Sequence, residues 1–264
     1  MTIRTPIRLL ILSAAVVATL SACNRDDDKA RAPASTTPGE AVATAPATPL
    51  SYESTTPYAE VELTLAQGIT AHPDLHAQLY QTVVRELNRF NEGAQSDRTE
   101  AGGDAGQPAY SRTVAFAPAA ETPRLVALKR DDYEFTGGAH GNGVSTGVLW
   151  DKTTRRQLKP ADLFRAGADL KAMNTALCAA INAAKRTRGE GAEPVTANGD
   201  LWACPDASAT AFTLAPGANG KAGGLMFLVG PYVVGPYVEG SYEVVVPTAV
   251  FAPLLAADYA GEFS

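Results

Sequence analysis

The stretch from Tyr58 to Phe90, YAEVELTLAQGITAHPDLHAQLYQTVVRELNRF, decides the fold because it contains one strand and one helix in succession. Its first ten residues alternate between apolar and polar side chains, which is the pattern of a half-buried strand. From Pro73 onward, apolar residues recur at intervals of three or four, which predicts a helix with one stripe facing a core. The stripe consists of Leu75, Leu79, Val83, Leu87 and Phe90.

The segments that follow predict an α+β fold with a mainly antiparallel sheet and two or three packed helices. Residues 91–108 are rich in Gly, Asp, Gln and Ser and predict a long mobile loop. Helical patterns cover residues 162–186 and 248–257. Strand-like segments lie at residues 111–117, 124–135, 144–150, 211–215, 225–229 and 242–246. Strands joined mostly as hairpins favour this architecture over an alternating βαβ array.

The N-terminal region predicts export and membrane attachment. Residues 1–22 carry two arginines and then an apolar run that is short for a membrane span, which is typical of a secretory signal peptide. The run ends in Leu20-Ser21-Ala22-Cys23, which resembles the lipobox of bacterial lipoproteins and implies that Cys23 is lipidated; the alternative is a plain cleavage site with an incidental cysteine. By analogy with lipoprotein sorting, Asn24 favours the outer membrane, facing the periplasm. Residues 23–57 lack apolar periodicity and predict a disordered tether.

The charge of the chain indicates which partners it can bind. Its 264 residues carry a formal net charge of -6, and removal of residues 1–22 deletes two arginines and no acid, which leaves -8. A nucleic-acid-binding protein needs a basic face to release phosphate counterions, so this class is excluded. An acidic body favours a basic partner.

The three cysteines predict one disulfide. If Cys23 carries lipid, Cys178 and Cys204 remain as an even pair in an oxidising compartment. A metal pair is the alternative, but no CxxC spacing or nearby histidine supports it. The sequence shows no set of metal ligands and no cofactor-binding motif, so we assign none.

Catalytic motifs are weak in this sequence. Residues 143–147 read GVSTG and match the GxSxG nucleophile elbow, but residues 148–150 continue as a strand where the elbow needs a helix. The last histidine, His140, also precedes the serine, whereas a hydrolase histidine follows it. A single histidine without a positioned nucleophile makes a poor enzyme, so the sequence favours a protein that is not an enzyme.

Two loops rich in Gly and Pro are the strongest candidates for partner binding. Residues 135–143, FTGGAHGNG, place His140 among four glycines, which favours positive φ or close approach to the main chain. Residues 230–242, GPYVVGPYVEGSY, repeat a GPY unit and offer rigid tyrosines. His140 bonding to backbone, or tyrosines packed beneath their loop, remain open alternatives. The candidate contact residues are Gly137, Gly138, His140, Asn142, Tyr232, Pro236, Tyr237 and Glu239.

The segments YEFTGGAHGN at residues 133–142 and DKTTRRQLKPADLF at residues 151–164 resemble the DUF3298 and DUF4163 envelope proteins. The late Tyr, Pro-Tyr, Gly and Val-x-x-Pro pattern matches Tyr232, Pro236, Tyr237, Gly240 and Pro247. The resemblance implies a DUF4163-like part at residues 58–135 and a DUF3298-like part at residues 136–264. Two departures are Gly141, where proline is common, and a turn at residues 151–155 without glycine.

The resembled family implies a module that faces the cell wall, because its members include lysozyme-sensing anti-sigma factors and the N-terminal module of peptidoglycan deacetylases. The leading hypothesis is a tethered lipoprotein that captures a basic peptidoglycan hydrolase of lysozyme type, as an inhibitor or immunity protein. One alternative is a wall-acting enzyme that uses His140 as base and Asp132 as acid. Another is a structural lipoprotein that contacts peptidoglycan directly.

Overall fold

A six-stranded sheet forms the centre of the molecule. The computed structural model describes residues 47–103, 106, 108–189 and 191–264, so the predicted signal peptide, Cys23 and the first part of the tether lie outside the described residues. Neighbouring strands follow in sequence order from β1 to β6. The strands are β1 (Ser51–Thr55), β2 (Ala59–Leu65), β3 (Tyr110–Glu121), β4 (Leu125–Phe135), β5 (Asn142–Asp151) and β6 (Arg156–Leu158).

The first helix, α1 (Pro73–Glu100), explains the one parallel pairing in this sheet. It connects β2 to β3, and a helical crossover returns the chain in the same direction, so these two strands pair in parallel. The other neighbours pair antiparallel. The predicted alternation in β2 is confirmed, because its apolar residues are buried and its polar residues exposed.

The helix is longer than the sequence pattern predicts. It continues through residues 91–100, where composition predicts a loop, because Ala94 and Arg98 extend the buried stripe beyond Leu87. Arg98 donates to the Pro108 carbonyl and lies 5.9 Å from the Tyr110 ring centre, which anchors the last turn. The prediction of a loop that begins at residue 91 was therefore wrong.

Strand β1 lies inside the segment that the sequence assigns to the tether. Residues 51–55 pair with β2, and the Tyr52 hydroxyl donates to Asn88 Oδ1 at 2.7 Å. The hydrogen bonds to β2 stabilise this strand. The short polar sequence of residues 51–55 contains no pattern that predicts such pairing. Residues 51–55 therefore belong to the sheet, although the sequence assigns them to the tether at residues 23–57.

The C-terminal half forms a second, three-stranded sheet in the order β7-β8-β9. Its strands are β7 (Phe212–Pro216), β8 (Ala222–Val229) and β9 (Tyr242–Pro247), and its helices are α2 (Lys171–Arg188), α3 (Thr248–Phe251) and α4 (Ala257–Ala260). Short 3-10 turns occupy Gln67–Ala71, Pro160–Leu163, Tyr237–Glu239 and Ala252–Leu254. The predicted α+β class, with mostly antiparallel strands and few helices, is confirmed.

Two hydrophobic cores lie on the two faces of the six-stranded sheet. Helix α1 covers one face, whose core includes Leu63, Val114 and Trp150. The second core joins Ala127 and Leu149 on the opposite face to the three-stranded sheet and to helix α2. The family resemblance divides the chain between residues 135 and 136. In the structure this position lies in the turn between β4 and β5, two strands that pair along their length.

The predicted disulfide is present. Cys178 in α2 bonds Cys204, with a Cα–Cα distance of 5.3 Å. The bond therefore links helix α2 to the segment that connects it to β7. Within the part of the chain that the structure describes, no helix has the length and apolarity needed to cross a lipid bilayer.

Candidate functional site

The two loops singled out in the sequence meet in the structure. The first, residues 136–141, joins β4 to β5, and the second, residues 230–241, joins β8 to β9. The His140 ring stacks on the Tyr237 ring, with centroids 3.9 Å apart and planes inclined by 18°. The Tyr237 hydroxyl donates to the Gly141 carbonyl oxygen at 2.9 Å, across 96 residues of sequence.

A third ring completes what we call the aromatic surface, formed by His140, Tyr232 and Tyr237. The Tyr232 hydroxyl lies 3.4 Å from His140 Nε2, and its ring centre lies 5.5 Å from that of Tyr237. Tyr232 is 51% exposed, and the neighbouring Val238 is 90% exposed. Solvent-facing aromatic and aliphatic groups next to one another are typical of interaction sites.

The first loop needs its glycines for defined reasons. Gly137 and Gly138 have φ values of 97° and 91°, in the left-handed region that favours glycine. A Cβ at Gly141 would collide with the Tyr133 hydroxyl and would lie 2.8 Å from the Glu134 carbonyl oxygen. The departure from proline at residue 141 is thus compatible with this loop. His140 Nδ1 lies 2.9 Å from the Gly141 carbonyl oxygen, so His140 has a backbone partner as well as a ring contact.

The second loop holds Tyr232 in an uncommon conformation. Its φ is 64°, which is a strained value for an aromatic residue and persists only when the surroundings fix it. Two side chains of α2 hold the rest of this loop from beneath. Lys185 Nζ donates to the Val234 carbonyl oxygen at 2.7 Å. Arg188 donates to the carbonyl oxygens of Glu239 and Ser241 and lies over the Tyr242 ring.

Glu239 belongs to this underside and not to the exposed surface. Its carboxylate accepts from Lys185 Nζ and from the Tyr242 hydroxyl, each at 2.6 Å, and the side chain is buried. The expectation that Glu239 contacts a partner is corrected: the carboxylate points inward because Lys185 is buried there and needs a counter-charge. The residue supports the loop.

The charges of this buried group are set by its contacts. Burial alone raises the pKa of Glu239, but hydrogen bonds from Lys185 and Tyr242 outweigh it and hold that pKa below its usual range. Burial, and then the bond to Glu239, raise the pKa of Tyr242 to about 12. Glu239 is therefore a carboxylate and Tyr242 a neutral phenol across the physiological range.

A cavity of about 410 Å³ lies next to the aromatic surface. It opens where β3, β4 and β5 continue beyond the apolar core under α1, and every second residue of these strands lines it, because alternate side chains share one face of a sheet. The lining residues are Arg112, Arg130, Asp132, Glu134, Thr136, Gly137, His140, Asn142, Val144 and Thr146.

Asp132 and His140 share this cavity, as the alternative enzyme hypothesis requires. Asp132, however, accepts two hydrogen bonds from Arg112 at 2.9 and 2.7 Å and one from Arg130 at 2.7 Å. Burial raises the pKa of Asp132, but these guanidinium contacts outweigh it and lower that pKa overall. An ionised carboxylate with its lone pairs occupied is poorly suited to donate a proton.

The remaining candidate residues divide between the two loops. Gly137 and Asn142 line the cavity together with His140, whereas Gly138 and Pro236 are exposed at the loop tips. Ser145 of the GxSxG match lies in the middle of β5, and its hydroxyl donates to Asp131 Oδ1 at 2.6 Å. The prediction that residues 148–150 continue as a strand is confirmed.

Sequence reasoning missed Arg112 and Arg130 as part of the site. The signal was available in part, because each arginine continues the alternation of buried apolar residues in its strand. Arg112 precedes Val114 and Phe116 in β3, and Arg130 follows Val126 and Leu128 in β4. The sequence alone does not predict that Arg112 lies opposite Glu134, because this depends on how β3 and β4 pair in the folded sheet.

Two solved structures similar to this chain are described as DUF3298 family proteins. One, from Pseudomonas aeruginosa, has 16% sequence identity and a TM-score of 0.46, and the alignment covers 76% of this chain and 85% of that chain. The other, from Bacteroides fragilis, has 18% identity and a TM-score of 0.46, with 80% of this chain and 95% of that chain covered. No protein-family model matches this chain, and no curated protein matches it in sequence.

Proposed function

We propose that this protein is a lipid-anchored binding module that captures a basic peptidoglycan hydrolase of lysozyme type and thereby acts as an inhibitor or immunity protein. The observation that carries the proposal is the aromatic surface, because two loops from distant parts of the chain meet there and expose rings on a fixed backbone. Binding free energy in protein interfaces concentrates on such rigid tyrosines.

The fixed backbone supports binding rather than turnover. Contacts with Lys185 and Arg188 order the second loop before any partner arrives. A preordered loop loses little conformational entropy on association, so more of the contact energy appears as affinity. The strained φ of Tyr232 fits a residue that the protein holds in place for contact.

The charge of the chain supports a basic partner. Its formal net charge of -6 becomes -8 without residues 1–22, and an acidic surface attracts a cationic enzyme and speeds encounter. The sequence resemblance to envelope proteins points to wall-degrading enzymes among basic partners. Lipidation of Cys23 would hold the module in the envelope, in our proposal at the outer membrane facing the periplasm.

A binding measurement with ring-deleting variants tests the proposal. We expect the chain to bind at least one muramidase of a panel, and Tyr232→Asn to weaken that binding by about tenfold or more. Asparagine suits this position because it tolerates positive φ, so the ring is removed without added backbone strain. Leu201→Ser is the matched control, since Leu201 is 79% exposed and lies outside both loops.

Two outcomes would contradict the proposal. Failure of the wild-type chain to bind any muramidase at low ionic strength would count against the partner class. Equal affinities of Tyr232→Asn, Leu201→Ser and wild type would count against the aromatic surface. Co-sedimentation of the chain with purified sacculi, insensitive to Tyr232→Asn, would favour a structural contact with peptidoglycan.

A catalytic role is the second candidate because His140 and Asp132 line one cavity. It predicts turnover of a wall glycan or peptide that His140→Ala abolishes. The three guanidinium hydrogen bonds on Asp132 favour the binding role over this one. Turnover by the purified chain, measured by release of soluble fragments from sacculi, decides between them.

A further inference from the structure

The cavity beside the aromatic surface has an ordered polar floor. Arg112 on β3, Glu134 on β4 and Asn142 on β5 form one row across three strands, because Glu134 is in register with both neighbours. Val144 lies in the next row, in register with Asp132. Side chains in such rows share one face of the sheet. The row therefore presents a guanidinium, a carboxylate and an amide to the same space.

The charges in and around this floor do not cancel. Arg112 is committed to Asp132, and Arg130 Nη2 divides its donors between Asp132 at 2.7 Å and Glu86 at 2.6 Å. Two guanidinium groups thus face three carboxylates, those of Glu86, Asp132 and Glu134. The surplus is one negative charge.

That surplus is located on Glu134. Its nearest cation is Arg112 Nε at 3.8 Å, which is beyond hydrogen-bond distance, and its side chain is 44% exposed. Within the part of the chain that the structure describes, no protein group hydrogen-bonds the side chains of Thr136 or Asn142, which line the same space. The cavity therefore offers a carboxylate, an amide oxygen and a hydroxyl oxygen as free acceptors.

We propose that this cavity receives a basic side chain of the captured partner, a guanidinium or ammonium group that pairs with the Glu134 carboxylate. Asn142 Oδ1 and the Thr136 hydroxyl accept its further hydrogen bonds. The inference rests on the proposed function and names the contact that selects for a basic partner. A cavity of about 410 Å³ is large enough to enclose one such side chain.

The charge distribution favours a cation over other occupants. An anion would be repelled by the Glu134 carboxylate, whose nearest cation lies 3.8 Å away and is already bonded to Asp132. A neutral sugar would use the acceptors but would leave the Glu134 charge without a partner. A cation neutralises that charge. It leaves the bonds between Arg112 and Asp132 intact, because neither residue has to contact it.

The first test uses the full chain and a muramidase that it binds. We expect Glu134→Gln to weaken binding by about tenfold, because it removes the charge and keeps the shape. Glu53→Gln is the matched control, since Glu53 is exposed on edge strand β1 and lies outside the cavity lining. Glu134→Asp, which keeps the carboxylate, should restore part of the affinity, and thermal unfolding of all three variants should match wild type.

The second test needs no muramidase. In an NMR titration of the wild-type chain, N-acetyl-arginine methylamide should shift the amide signals of Gly137 and Asn142 saturably, whereas the neutral N-acetyl-glutamine methylamide should not. Glu134→Gln should abolish the response. Equal shifts with both probes, no shift, or a response to N-acetylglucosamine oligomers instead of the arginine probe would overturn the inference.

The two tests separate this inference from the proposed function. If Tyr232→Asn weakens muramidase binding and Glu134→Gln does not, the cavity inference fails and the binding function remains. If the arginine probe binds in a Glu134-dependent way and no muramidase binds, the partner class fails and the cation site remains.

Discussion

Gly235 allows the buried carboxylate of Glu239 to lie directly beneath the second loop. A Cβ at this position would fall within 2.5 Å of both carboxylate oxygens of Glu239. The contacted group cannot move aside at little cost, because it is buried and bonded to Lys185 and Tyr242. The glycine and the ion pair therefore depend on each other.

We predict that Gly235→Ala lowers the free energy of unfolding by roughly 3 kcal/mol, because it separates a buried ion pair. Gly230→Ala in the same loop should leave stability almost unchanged, since nothing lies within 4 Å of its Cβ position. Urea unfolding of both variants checks this. Equal stability of the two would show that the Lys185–Glu239 contact does not constrain the loop.

Asp151 predicts how the protein responds to acid. Burial raises its pKa, but hydrogen bonds from Arg124, the Thr154 and Thr153 amides and the Tyr259 hydroxyl outweigh it and hold the pKa at about 2. The pKa is lower in the folded chain than its ordinary value of 3.8, so this carboxylate stabilises the folded state above about pH 4. The contribution is lost as the pH falls toward 2.

We therefore expect Asp151→Asn to remove about 2 kcal/mol of the acid-dependent loss of stability between pH 4 and pH 2. At neutral pH the same variant should be less stable than wild type, because Arg124 loses its anionic partner. Asp200→Asn, which changes an exposed carboxylate, should keep the wild-type pH profile. Identical slopes for wild type and Asp151→Asn would contradict the assignment.

At the scale of elements, the crossing of β7 over β5 depends on Gly147. A Cβ at Gly147 would collide with the Phe212 carbonyl oxygen on β7, and backbone cannot move aside as a flexible side chain can. The residue that completes the GxSxG match is therefore required by the contact between the two sheets.

We predict that Gly147→Ala destabilises the fold by about 2 kcal/mol or more, because it forces the sheets apart at this crossing. Gly143→Ala in the same strand is the control, since the nearest atom to its Cβ position is 4.0 Å away. Thermal and urea unfolding of both variants provide the measurement. A Gly147→Ala variant as stable as its control would show that the crossing tolerates extra separation.

The sequence predicts those elements whose burial has a clear period. The alternation in β2 and the stripe in α1 predict both elements, because each buries one face against a single neighbour. Strand β1 and the last turns of α1 escape prediction, since their polar composition is typical of a loop and their stability comes from the pairing with β2 and from the anchoring of Arg98.

The candidate site is predictable in its parts and not in its assembly. Glycine and proline spacing identifies both loops, because tight turns need those residues locally. The stacking of His140 on Tyr237 depends on the register of two sheets, and the inward direction of Glu239 depends on where Lys185 is buried. Neither can be deduced from local composition.

At the scale of the whole molecule, net charge predicts the kinetics of association. Because the chain carries a formal charge of -6, we expect the association rate with a cationic muramidase to fall at least tenfold between about 20 mM and 500 mM salt. The dissociation rate should change little with salt and should rise in Tyr232→Asn. Stopped-flow or surface-based kinetics measure both, and an association rate independent of salt would contradict electrostatic steering.

The meeting of the two loops also has a consequence for biogenesis. One loop extends from the hairpin of the six-stranded sheet, and the other is held by helix α2 and strand β9, which are synthesised later. A chain whose C-terminal half is missing or unfolded presents only one side of the contact area. A chain truncated after β5 would lack Tyr232 and Tyr237, so the aromatic surface forms only when both halves of the chain are made and folded.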